Sequence, residues 1–223
     1  MSAPLRLVLF DVDGTLVDSQ GSIVHAMTTS FQAASVPVPT REVILSIVGL
    51  SLPHAIARLV PDQPSSVQND LVEGYKEAYH AHRLDLGAAS SPLYPGAREA
   101  IEALHAVPEV LLGVATGKSQ RGLDALIEVH GLERYFVTRQ VADHHPSKPH
   151  PSMVQAALAE TGVEPDCAVM VGDTSYDMDM AAAAGVRGIG VAWGYHDRSA
   201  LTSATCMIET FDQLPTALAG IWN

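Results

Sequence analysis

The chain has 223 residues, 47% of them hydrophobic, with 25 acidic residues against 13 lysines and arginines and a formal net charge of -12 at pH 7. This length and apolar fraction suffice for a sizeable core and exclude a disordered chain. The acidity and the lack of a basic stripe disfavour nucleic acid or an anionic membrane as partner. Cys167 and Cys206 are the only two cysteines, so no disulfide framework is implied and a reducing compartment fits.

In chain order, the first element is the apolar run Leu7-Val8-Leu9-Phe10, which reads as a buried parallel strand and stops at Asp11. It begins within a few residues of the N-terminus, leaving no room for a secretory signal. No apolar stretch approaches the roughly 20 residues of a membrane span, so a cytoplasmic protein is expected.

Asp11-Val12-Asp13-Gly14-Thr15 puts two carboxylates one residue apart where the chain leaves the sheet, and Gly14 permits the turn. One carboxylate can attack phosphorus to form an aspartyl-phosphate, and the other can protonate the leaving oxygen and later activate water. A D-x-D pair by itself is equally compatible with a helix cap or a turn.

From Ser19 to Ser90 no strand-like run occurs, only amphipathic helical patterns. Val67, Leu71, Tyr75, Ala78 and Tyr79 form one stripe, with Ser65 and Ser66 ahead of it as cap candidates. The expected organisation is a helical cap over 19–90, inserted into a core made of 1–18 and 91–223. Such an insert excludes water from phosphoryl chemistry when it closes. Its basic residues Arg41, Arg58, Lys76 and Arg83 are candidates for substrate contact, although surface statistics place each in solvent.

The remainder alternates helical and strand-like segments. Helix is expected over Ala97–Leu104, strand over Val110–Ala115, and helix from Leu123 to Val129 closing at Gly131. Tyr135–Val137 with Val141 suggests a short strand. Helix follows over Ser152–Thr161, then strand over Ala168–Val171, helix over Met178–Ala184 and strand over Gly188–Ala192. The pattern predicts an α/β fold with a doubly wound, mostly parallel sheet, whose carboxyl-terminal edge would gather Asp11, Thr116 and Asp173.

Thr116-Gly117-Lys118-Ser119 can hold a phosphoryl oxygen through a hydroxyl and a backbone amide, but its spacing is not that of a P-loop. Lys148, between Pro146 and Pro149, supplies a positive charge for the nucleophile and the transition state. Gly172-Asp173-Thr174-Ser175-Tyr176-Asp177 adds carboxylates after another strand, the oxygen inventory that Mg2+ takes. Asp177 suits three roles, as a direct ligand, as a partner that orients one, or as a helix cap; the orienting role is favoured. Asp179 is expected to face solvent. His144, His145 and His150 are read as loop residues rather than a metal set, because neighbours on an extended chain point apart and no Cys or Glu completes the group.

Taken together, these motifs resemble the haloacid dehalogenase superfamily, in its phosphoglycolate phosphatase-like branch with a helical cap. Asp11 to Ser19 resembles its first motif, Thr116 the second, Lys148-Pro149-His150-Pro151 the third, and Gly172 to Asp177 the fourth. The resemblance implies Asp11 as nucleophile and metal ligand, Asp13 as acid/base with its backbone carbonyl on the metal, and Asp173 as the remaining ligand. It adds Thr116, Gly117 and Lys148 as phosphate contacts, with Asp177 behind the metal. Relatives often carry asparagine at position 117 and acidic residues at 144–145, and they place a substrate-facing segment at Gly49–Leu52. The implied activity is Mg2+-dependent hydrolysis of a small phosphorylated metabolite, phosphoglycolate first, by a monomer or homodimer. A hexose phosphate mutase of the same fold and a non-catalytic phosphoacceptor module are the alternatives.

Overall fold

The computed structural model describes residues 4–222. Six parallel strands form one sheet: β1 (Arg6–Phe10), β2 (Val110–Thr116), β3 (Phe136–Val141), β4 (Ala168–Gly172), β5 (Arg187–Val191) and β6 (Cys206–Ile208). Their order is β3-β2-β1-β4-β5-β6, so the chain builds outward from β1 on one side and then crosses back to place β4 on the other. That reversal beside β1 is the switch point at which such sheets bind ligands.

β1 explains why its sequence is apolar at every position. Val8 and Phe10 face the cluster packed under helices α5 (Ala97–His105), α6 (Gln120–His130) and α9 (Leu214–Trp222). Leu7 and Leu9 face the opposite cluster, under α7 (Ser152–Thr161) and α8 (Ser175–Ala183). A strand covered on both sides has no polar face to alternate with.

Between β1 and α5 lie four helices, α1 (Gln20–Ala33), α2 (Arg41–Leu45), α3 (Leu52–Leu59) and α4 (Ser65–Leu86), with their own apolar cluster around Met27, Phe31, Ile56 and Leu71. The two strands of chain that connect this insert to the sheet run side by side. Asp18 N donates to Pro92 O at 2.9 Å, and Tyr94 N donates to Leu16 O at 2.9 Å.

The expected α/β, doubly wound, parallel architecture is present, with local differences. β6 and α9 lie beyond the last element read from sequence: β6 has only three residues, and α9 opens with Leu214-Pro215 and contains Gly220. Helix α8 starts at Ser175, three residues before the expected Met178, because Thr174 caps it. Ser65 and Ser66 do not cap α4; they lie inside its first turn after Pro64, whose ring fixes the extended entry instead. Among the described residues no helix is long and apolar enough to cross a membrane.

Candidate active site

The carboxyl-terminal ends of β1, β2 and β4 carry Asp11, Thr116 and Asp173 to one edge. The Asp11 N–H continues the ladder by donating to Val171 O at 2.9 Å, which ties the first loop to β4 before the chain turns. At Gly14 the backbone takes φ +85°, and a Cβ there would lie 2.2 Å from Asp173 Oδ2. Only glycine meets both demands.

Asp11, Asp173 and Asp177 are buried, and each offers an oxygen within 4.8 Å of the others. Against these three stands one cation, Lys148, whose fully buried Nζ lies 2.9 Å from Asp11 Oδ1 and 2.5 Å from Asp177 Oδ1. Burial works against charge on Lys148, yet Asp11 and then Asp177 outweigh it and hold the ammonium above its ordinary range. The loop that presents it has a cis Lys148–Pro149 peptide.

One lysine leaves the cluster with excess negative charge. Burial pushes the Asp11 carboxyl up to about 7, with Lys148 opposing the rise and Asp177 adding to it. Burial also raises Asp173 well above the usual carboxylate range, with Asp177 and Asp11 adding to the rise. Neither Asp11 oxygen has an aligned hydrogen-bond donor, Lys148 being close without the geometry of one. Unpartnered buried oxygens facing other carboxylates are what a hard divalent cation would satisfy, so the residues fit such an ion.

Asp173 is held from two sides, by the Thr15 hydroxyl at 3.0 Å and the Tyr195 N–H at 2.9 Å. Of its three expected roles Asp177 takes that of helix cap, and it also pairs with Lys148. It forms a capping box with Thr174 at the start of α8, accepting from the Thr174 hydroxyl at 2.7 Å, while its other oxygen meets Lys148. Asp179 is exposed and accepts from the Ser203 hydroxyl at 2.6 Å.

Asp13 lies apart from the carboxylate cluster, facing the insert. Its carboxylate accepts from Ser19 Oγ at 2.6 Å and pairs with Lys118 Nζ at 2.9 Å. Lys118 also meets the Tyr79 hydroxyl at 3.3 Å, so this lysine joins the first loop to α4. Thr116 Oγ1 accepts from the Lys118 N–H at 3.2 Å and fixes the turn after β2. At Gly117 a Cβ would lie 2.5 Å from Gly49 O and 2.7 Å from Leu50 O, so the insert's loop takes the space a side chain would need.

Sequence reasoning passed over Lys118 and Tyr195. Lys118 was visible as a charge just after a strand end, the position that already singled out Thr116. Tyr195 acts on Asp173 through its backbone N–H, which no residue type reveals.

A cavity of about 590 Å³ runs from Asp11, Asp13 and Thr116 outward between sheet edge and insert, walled by apolar side chains such as Met27, Ile47 and Leu50. Of the four basic candidates on the insert, Arg41 bonds Gln20 and Arg58 bonds the Tyr176 hydroxyl at 3.0 Å, whereas Lys76 and Arg83 line the cavity. His145 spends both ring nitrogens on Ser152 Oγ and Gln140 Oε1, each at 2.8 Å.

A family model described as haloacid dehalogenase-like hydrolase matches residues 8–191. A probable phosphatase, IndB, of Dickeya dadantii is 35% identical over 214 residues, covering 93% of this chain and 91% of that protein. A phosphoglycolate phosphatase of Vibrio parahaemolyticus is 29% identical over 197 residues, 86% of each chain. In fold, a crystal structure of a predicted phosphatase from Clostridium acetobutylicum superposes with a TM-score of 0.85 at 22% identity, over 98% of this chain and 100% of that one.

Proposed function

The chain belongs to the haloacid dehalogenase-like hydrolases, in their phosphoglycolate phosphatase branch, and from that premise we propose that it is a Mg2+-dependent phosphomonoesterase that works through an aspartyl-phosphate on Asp11. The observation that carries this reading is the buried carboxylate cluster with too few cations, opening into the cavity at Asp11.

An Asp11 oxygen attacks phosphorus while the bond to the leaving oxygen breaks, and Asp13 gives that oxygen its proton. Asp13 then takes a proton from the water that attacks the aspartyl-phosphate, releasing inorganic phosphate and restoring the Asp11 carboxylate. In the arrangement described, Asp13 is engaged by Lys118 and Ser19, so substrate entry has to draw Lys118 away from it. The Thr116 hydroxyl and the Gly117 amide would hold the phosphoryl oxygens, and Lys148 balances the charge of the nucleophile. Asp11, Asp173 and the Asp13 backbone carbonyl would hold Mg2+, with Asp177 orienting Lys148 behind them. When bound, the metal supplies electrophilic stabilisation of the transferring phosphoryl group. Closure of the helical insert over the cavity excludes water.

Phosphate release from phosphoglycolate, hexose phosphates, nucleoside monophosphates and pyrophosphate tests the reading, with Mg2+ and with chelator. The expected result is turnover that needs the metal and disappears in Asp11→Asn. Interconversion of sugar phosphates outpacing phosphate release would replace it with the mutase reading; a folded protein inert toward every ester would overturn it.

A further inference from the structure

Away from the reacting carboxylates, the cavity wall carries three basic side chains in an arrangement that hydrogen bonding alone does not satisfy. His80 and Arg83 lie on α4 of the insert, and Arg121 on α6 beside the sheet. An Arg83 terminal nitrogen lies 3.1 Å from His80 Nδ1, and an Arg121 terminal nitrogen lies 3.0 Å from His80 Nε2. A guanidinium can only donate, and a neutral imidazole has one accepting nitrogen. One of the two contacts therefore sets N–H against N–H.

Nor does a carboxylate relieve the crowding. Among the described residues, no ion pair within 4.0 Å involves Arg83 or Arg121. This is a chain with 25 acidic side chains and only 13 lysines and arginines, so two arginines together without an acid stand out. All three residues line the same cavity as Asp11 and Thr116.

The geometry points to a second anion site at the outer end of the cavity, formed by His80, Arg83 and Arg121. It would take a carboxylate or phosphate carried by the leaving group of the ester whose first phosphate meets Asp11. This inference rests on the phosphomonoesterase reading and narrows it to esters with an anion at each end. The apolar walls between the two sites select for a carbon framework in the middle. About 590 Å³ falls in the roughly 300–1,000 Å³ of sites for drug-sized ligands, more than a two-carbon acid fills. Because His80 and Arg83 belong to the insert and Arg121 to the sheet side, the distal anion would also bridge the two parts of the molecule. A substrate of the right length would then hold the insert closed over its own phosphate.

Calorimetric binding of non-hydrolysable phosphonates tests this without requiring turnover. The probes are a series of alkyl phosphonates and their ω-carboxyalkyl counterparts, titrated into the metal-loaded protein, into Arg83→Gln, into Arg121→Gln and into the double variant. The expected result is that the wild type prefers the carboxylated probe by about tenfold at one chain length, the scale of a charge-assisted contact. Each single variant should lower that ratio, and the double variant should bring it near one. An arginine serving only packing would shift both probes together and leave the ratio intact. No preference at any length, or a ratio unchanged by the variants, overturns the second site. Loss of turnover on every ester while the ratio behaves as expected would overturn the phosphatase reading and leave the anion site standing.

Discussion

Asp11 is the residue where the electrostatics of the molecule concentrate. It sits among buried carboxylates, with Lys148 as the one cation in contact and no aligned donor. In metal-free protein that arrangement destabilises the fold once Asp11 ionises. Folding raises its carboxyl from 3.8 to about 7, so the cost begins above the unfolded value, grows as pH rises and is complete beyond about pH 7. Asp11→Asn removes it. In chelator at pH 8 the variant should melt at a higher temperature than the wild type, and the difference should shrink toward pH 4; a lower melting temperature at pH 8 would show that Asp11 is well compensated without metal. Of the candidate site residues read from sequence, Asp11, Thr116 and Asp173 are those that end an apolar run, and strand termination fixes their place at one sheet edge, whereas Lys148 was read from its flanking prolines and Asp13 and Asp177 from their neighbours in the motifs. Lys118 pairs with Asp13 across 105 positions, and that contact exists only after β1 and β2 have paired in the sheet.

Helix α8 shows how one element serves both stability and the site. Its hydrophobic periodicity is weak, which is why its start was misplaced from sequence, and its true beginning is set by the capping box between Thr174 and Asp177. The same Asp177 side chain holds Lys148. Thr174→Val keeps the shape and the Thr174 N–H bond to Asp177 but deletes both hydrogen bonds of the hydroxyl, the one it accepts from Asp177 N and the one it donates to Asp177 Oδ2, and the expected loss is about 1 kcal/mol of unfolding free energy in urea melts. Turnover should fall as well, because Asp177 Oδ2 loses one of the two Thr174 donors that orient it, and Thr174→Ser should recover both stability and turnover. Stability lost without any change in turnover would separate the cap from the Lys148 contact. β6 and α9 were not legible for a related reason: three residues carry no periodicity, and the propensity of α9 is weakened by Pro215 and Gly220.

At the scale of the molecule, the question is what lets the insert descend onto the sheet edge. Ser51 N donates to Ser147 Oγ at 2.9 Å, and the Tyr176 hydroxyl donates to Ser46 O at 3.0 Å. Between these contacts the Gly49 and Leu50 carbonyls come down over Gly117. Position 117 stood out in sequence as a backbone phosphate contact and as a departure from relatives; its neighbours in space explain the missing side chain, since backbone carbonyls cannot give way as a flexible side chain would. Gly117 does not adopt a left-handed conformation, so Gly117→Ala tests space alone. None of the three hydrophobic clusters includes this position, and the variant should unfold at the same denaturant concentration as the wild type. Its added methyl meets the carbonyls only when the insert is down, so kcat/KM should fall by about tenfold or more through imperfect closure. Hydrogen exchange at residues 46–51 should quicken in the same variant, because the amide of Ser51 loses its partner. Wild-type turnover with unchanged exchange would mean that the loop shifts aside at no cost and that closure does not depend on the absence of a side chain at 117.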